Sequence, residues 1–307
     1  MKAIGSIIFF LFIMTGYAQE MFIGELNYAQ KWTKIAKSEE LAKLMILGKI
    51  NQSAYGKKIV QAAQRKARKS GKRLVDLIVV GHGSITDTTL IRRFSKSNPD
   101  IVEYEDRSKV YINGDLSVKD AILDMAHELT HFSYRTVFNP YKDGFTFASF
   151  LHDTIENRGG EVDAFISECS VLKDLFTPQE FRDSKCPSII DSSTGHFSRK
   201  LTMEHFYQVG PLFQKFWDDS ARFGVSKVDF PYLTSAQPIF ISSAYSVPYP
   251  LATLIEYRNM MTHVCKNDER RLVYMKKKVG RSPASIVRRS YQSMEKSFFD
   301  RCQNINY

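Results

Sequence analysis

The chain has 307 residues, and its 43 Lys and Arg against 33 Asp and Glu give a formal net charge of +10 at pH 7, with a pI near 9.3. Its 43% hydrophobic content and lack of repeats or low-complexity tracts exclude a disordered or fibrous chain and allow a sizeable core. The basic residues gather at Lys57-Lys58, Arg65 to Arg73, Arg270-Arg271, Lys276 to Lys278 and Arg288-Arg289. That pattern predicts solvated helix faces with long-range attraction to anionic surfaces, and without interleaved aromatics no specific nucleic-acid binding.

The amino terminus reads as an export signal. Met1-Lys2 precedes an apolar run from Ala3 to Met14, and Gly16 and Ala18 stand where a signal peptidase inspects small residues. Cleavage is expected near Ala18, giving a secreted or periplasmic protein. The run falls short of the roughly 20 residues that span a bilayer, and no later segment predicts a stable transmembrane helix.

From Tyr28 to Ser70 the apolar residues Trp32, Ile35, Leu41, Leu44, Met45, Leu47, Ile59, Val60 and Ala63 follow helical spacing. The period then shortens. Leu74 to Val80, Ile101 to Tyr104 and Lys109 to Ile112 read as short strands, the first closed by Gly81-His82-Gly83 and the last by Asn113-Gly114. Gly81-His82-Gly83-Ser84 has neither a phosphate-loop nor a nucleophile-elbow frame, and is expected to be a turn.

Ser117 can cap a helix with Asp120 in its first turn. Val118, Ile122, Met125, Ala126, Leu129 and Phe132 form its apolar stripe, while Asp124, His127, His131 and Tyr134 fall on a neighbouring polar face. The helix is expected to stop near Asn139-Pro140. Within it, His127-Glu128-Leu129-Thr130-His131 is an HExxH pattern: two histidines four apart share a face and can bind one metal ion, with Glu128 beside it as a general base on a metal-bound water. Catalytic zinc keeps three protein ligands, and after the Gly159-Gly160 break a second amphipathic helix opens on Glu161 and continues through Val162, Phe165, Ile166 and Cys169. Glu161 is the candidate third ligand. Glu156, Asp163, Glu168 and His152 compete for the role, and Asp163 and Glu168 are also candidates for orienting a ligand histidine.

This HExxH with a downstream glutamate resembles the gluzincins, the thermolysin-like zinc metallopeptidases, over roughly residues 109 to 176. The segment Glu161-Val162-Asp163-Ala164-Phe165 is similar to the acidic ligand segments of smaller members, although Phe165 stands where thermolysin-like proteins have a second acid. The resemblance implies a zinc-binding α+β fold in which a small sheet covers the active-site helix and an edge strand pairs with substrate backbone. Lys109 to Ile112 is the candidate edge.

Asp183 to Lys200 is polar and loop-like. Met203 to Asp219 and Pro250 to Lys278 read as helices, joined by an aromatic, proline-bearing connection at Tyr245 to Tyr249. The expected organisation is a signal peptide over 1–18, a metallopeptidase-like core with N-terminal helices over 19–182, a linker over 183–200 and a mainly helical region over 201–307 packed on the core. Tyr134, His152, His196, His205 and Tyr245 all have the chemistry to stabilise an oxyanion. Cys169, Cys186, Cys265 and Cys302 form an even set suited to two disulfides in an oxidising compartment; three pairings exist, and proximity favours Cys169 with Cys186 and Cys265 with Cys302.

The expectation is an exported metallopeptidase holding one zinc per chain through His127, His131 and Glu161 and acting on a peptide or protein substrate. Two other classes stand beside it: a zinc amidase acting on cell-wall peptides, and a non-catalytic basic protein bound to an anionic cell envelope.

Overall fold

A computed structural model describes residues 26–142, 144–280 and 285–305 of the protein, so the expected signal peptide lies outside the described residues. Helices α1 (Glu39–Ile50) and α2 (Ala54–Lys69) break at Asn51 to Ser53, each opened by a serine whose side chain accepts from a first-turn amide. A single turn, α3 (Leu74–Leu77), leads into β1 (Ile78–Gly81), followed by β2 (Ile85–Phe94) and β3 (Val102–Asn113).

The sheet is three-stranded in the order β1-β3-β2. β1 runs parallel to β3, pairing Ile78 with Val110, while β2 runs antiparallel to it, from Ile85 opposite Tyr111 to Phe94 opposite Val102. Three expectations are corrected here. Ile101 to Tyr104 and Lys109 to Ile112 are not two strands but opposite ends of β3. Lys109 to Ile112 is no edge: it belongs to the central strand β3, where Val110 is fully buried and paired with both neighbours, so the edges of the sheet are β1 and β2. The first half of the expected Leu74 to Val80 strand is helical.

Helix α4 (Val118–Tyr134) starts where Ser117 accepts from the Asp120 amide. Val118, Ile122, Met125, Ala126 and Leu129 are wholly removed from water, and burying each of the larger ones contributes about 1.5–3 kcal/mol. The helix packs between the sheet and helices α2 and α6 (Glu161–Leu175). It ends at Tyr134, earlier than expected, because Arg135 leaves helical geometry with φ −66° and ψ 132°.

Between them lies α5 (Phe147–Ile155), opened by a reciprocal cap of Thr146 and Ser149. After α6 come α7 (Pro178–Arg182), a 3-10 turn at Cys186–Ile189, α8 (Arg199–Phe206), α9 (Phe213–Ser220), α10 (Tyr249–Val279) and α11 (Ser285–Cys302). The expected helix from Met203 to Asp219 is thus two, separated by a turn at Gly210–Leu212 where Pro211 lacks the amide needed to continue.

One apolar cluster runs from Trp32 to Val264 and joins the N-terminal helices, the sheet and α10. Disulfides pair Cys169 with Cys186, fixing the end of α6, and Cys265 with Cys302, tying α10 to α11. Fully buried Asp268 on α10 accepts from both Arg92 of β2 and Arg301 of α11, and the Arg92 guanidinium lies 3.9 Å from the Tyr141 ring centre. The far end of β2 is therefore fastened to the C-terminal helices. No described helix is long and apolar enough to cross a membrane.

Candidate metal centre

Side chains of His127, Glu128 and His131 converge on one point, their potential ligand atoms lying within 4.8 Å of one another. Helical spacing does this: residues four apart stack on one face, and the opposite face is committed to the core. Glu161, the first residue of α6, meets the pair from across the helix interface. Its Oε2 lies 3.4 Å from His127 Nε2 and its Oε1 lies 3.4 Å from His131 Nε2. These separations exceed the roughly 2.7–3.2 Å of a direct N–H to O hydrogen bond. They fall within the edge of a tetrahedron whose ligands sit about 2.0–2.2 Å from a central zinc, roughly 3.3–3.6 Å.

The outer ring nitrogens are occupied. His127 Nδ1 is 3.1 Å from Glu168 Oε2, and His131 Nδ1 is 2.8 Å from the Gly159 carbonyl. A neutral histidine that donates through Nδ1 presents a lone pair at Nε2, the tautomer a metal needs. Of the two acids proposed to orient a histidine, Glu168 meets His127, whereas Asp163 touches neither ring: its carboxylate accepts from the Gly159 amide at 2.8 Å and pairs with Arg199.

Electrostatics point the same way. Glu128, Glu161 and Glu168 surround two imidazoles, and Arg135 is the cation that reaches them, its Nη2 3.1 Å from Glu161 Oε1. Burial alone would raise the Glu161 carboxyl, but His131, His127 and Arg135 outweigh it and hold it well below the usual carboxylate range. Burial likewise opposes charging His127, and Glu161, Glu168 and Glu128 overcome it, raising its pKa well above the ordinary value. Without a metal the carboxylate charge is offset by a protonated His127; with both histidines neutral, as ligation requires, three carboxylates against one guanidinium leave negative charge that a divalent cation would neutralise. Glu128 Oε2 is buried and has no hydrogen-bond partner among the described residues, leaving one carboxylate oxygen free for a proton in flight. Two imidazoles and a carboxylate form a donor set suited to zinc, so these residues fit that ion.

His127 and Glu128 open onto a cleft of about 840 Å³ lined by the Gly81-His82-Gly83-Ser84 turn, Ile85 and Asp87 of β2, Tyr111, Asp124, Glu168, Ser243 and Tyr249, while His131 lies buried behind them. Thr86, pointing away from the cleft, donates to the Glu128 carbonyl at 2.7 Å and seats β2 on α4. Asp124, one turn before His127, is pushed up to about 6 by burial, then by Glu168 and Glu128, against the opposing pull of Ser84 and His127. Among the described residues, the lining holds the acids Asp87, Asp124, Glu128 and Glu168 but no lysine or arginine.

None of the five side chains expected as oxyanion donors lines this cleft. Tyr134 lies under Arg158, His205 Nε2 meets the Ser188 carbonyl, His196 is exposed on its loop, and Tyr245 is near Glu256. His152 pairs with Glu156 at 2.6 Å, where the Tyr207 hydroxyl also donates at 2.5 Å, so these two of the four competing ligands belong to another cluster. The cleft's tyrosines are instead Tyr111 of β3 and Tyr249 at the start of α10, and it is Tyr249 that stands beside the glutamates. Burial, then the carboxylates of Glu161, Glu128 and Glu168, raise the Tyr249 hydroxyl well above the ordinary tyrosine pKa, so it remains a protonated donor. Its sequence setting, an aromatic connection before a helix, carried no signal that would single it out from Tyr245.

The chain matches no family model, no curated protein and no solved structure, and the geometry of the site carries the functional argument.

Proposed function

We propose that the protein is an exported, zinc-dependent metallopeptidase of gluzincin type, with His127, His131 and Glu161 as ligands. The observation that carries this reading is the convergence of both histidine Nε2 atoms on Glu161 while both Nδ1 atoms meet other acceptors. Bound zinc would supply Lewis acidity, polarising a scissile carbonyl and easing the deprotonation of water. Glu128, with its free carboxylate oxygen beside the histidines, takes that proton and delivers it to the leaving amine. Tyr249 donates toward the oxygen on which negative charge develops. The free edge of β2, running along the cleft through Ile85 and Asp87, offers unpaired backbone groups to an extended peptide. Two disulfides and the export signal support an oxidising compartment outside the cytosol.

Glu128→Gln is the decisive variant. It should retain about one zinc per chain by elemental analysis and lose peptide hydrolysis by a factor of at least about 10². Cleavage at the parental rate with equal zinc content would refute the assignment.

A further inference from the structure

Arg135 stands four residues after His131, just outside α4, and only 15% of its side chain is exposed. Its Nε donates to the Gly159 carbonyl at 3.2 Å, the same oxygen that meets His131 Nδ1, and its Nη2 donates to Glu161 Oε1 at 3.1 Å and to the Thr154 carbonyl at 3.4 Å. One planar guanidinium thus contacts a carboxylate ligand and the acceptor that orients a histidine ligand. A cation placed here repels a divalent ion, so charge pairing alone is a poor reason for its position. Its effect on Glu161 is asymmetric: the guanidinium engages Oε1, whereas Oε2 lies 3.4 Å from His127 Nε2 and receives no donor from Arg135.

We propose that Arg135 is a positioning residue that makes Glu161 a one-oxygen donor, keeping the centre four-coordinate and favouring zinc over cations that take more oxygen ligands. A carboxylate with both oxygens free can chelate an ion and expand its coordination shell; occupying Oε1 removes that option. Lysine would supply the charge but not the fork that reaches Gly159, Thr154 and Glu161 together. The proposal rests on the metal-centre reading and not on peptide hydrolysis.

The test uses full-length mature protein loaded with cobalt(II), whose visible absorption is strong in tetrahedral sites and much weaker at higher coordination. The parent should show the tetrahedral spectrum. Arg135→Gln and Arg135→Lys should each keep one cobalt per chain but lose several-fold in absorbance, with zinc affinity falling about 10- to 100-fold in chelator competition. Tetrahedral spectra in both folded variants would overturn the proposal, and lowered stability with an unchanged spectrum would mark the arginine as merely structural. A parent spectrum of higher coordination would overturn it even if neither variant folds. A parent that binds no cobalt would remove the metal-centre reading itself, whereas a tetrahedral parent without hydrolytic activity would remove only the peptidase reading.

Discussion

At the residue scale, Gly159 couples helices α4 and α6. Its φ of 77° lies in the left-handed region, and an added Cβ would stand 2.4 Å from the Arg135 amide nitrogen and 2.7 Å from the Tyr134 carbonyl carbon. Its carbonyl meets His131 and Arg135 while its amide donates to Asp163. Gly159→Ala should therefore cost about 1–3 kcal/mol from backbone strain alone, and more through the clash. Urea unfolding and zinc content should fall together, and a variant with parental values of both would show that this turn does not hold the site. The histidine pair was legible from sequence because four-residue spacing fixes a shared face. Arg135 and Tyr249 were not, since each reaches the site from just beyond a helix boundary or from the distant α10, where periodicity says nothing about direction.

At the element scale, α4 could be read from its cap and apolar stripe, but its end could not: Arg135 follows tertiary partners at Gly159 and Glu161, and these override the preference that placed the stop beside Pro140. Strand β2 was missed because Asp87, Arg92 and Arg93 interrupt its apolar residues, and β3 was split because Glu105, Asp106 and Arg107 lie where the hairpin projects from the core with little to bury. Helix α6 has a different dependence. Its position relative to the loop after it is held by Cys169–Cys186, 17 residues apart, a closure worth about 2–4 kcal/mol. Replacing both cysteines with alanine should lower the unfolding free energy by that amount. Unchanged thermal stability under oxidising conditions would count against the bond as a support for the Glu161 helix.

At the scale of the whole molecule, the continuous apolar cluster and the buried Arg92–Asp268–Arg301 group make the C-terminal helices part of the cleft's support. The coarse α+β class was legible from the switch between periods 3.6 and 2. The partnership of β2 with α10 was not, because its charged contacts join residues more than 170 positions apart. A further property emerges only from the assembled molecule: a net charge of +10 surrounds a cleft whose charged lining is largely acidic. A cationic peptide should therefore be repelled from afar and attracted at close range. Raising ionic strength from about 10 mM to about 150 mM shortens the Debye length from about 30 Å to about 8 Å, suppressing the distant repulsion before the attraction within the cleft. Stopped-flow binding of such a peptide to zinc-loaded Glu128→Gln protein should accelerate with added salt over that range, and steady slowing would rule this out. The molecule would then act as an electrostatic gate, with ambient ions setting how freely a positively charged chain reaches the paired histidines.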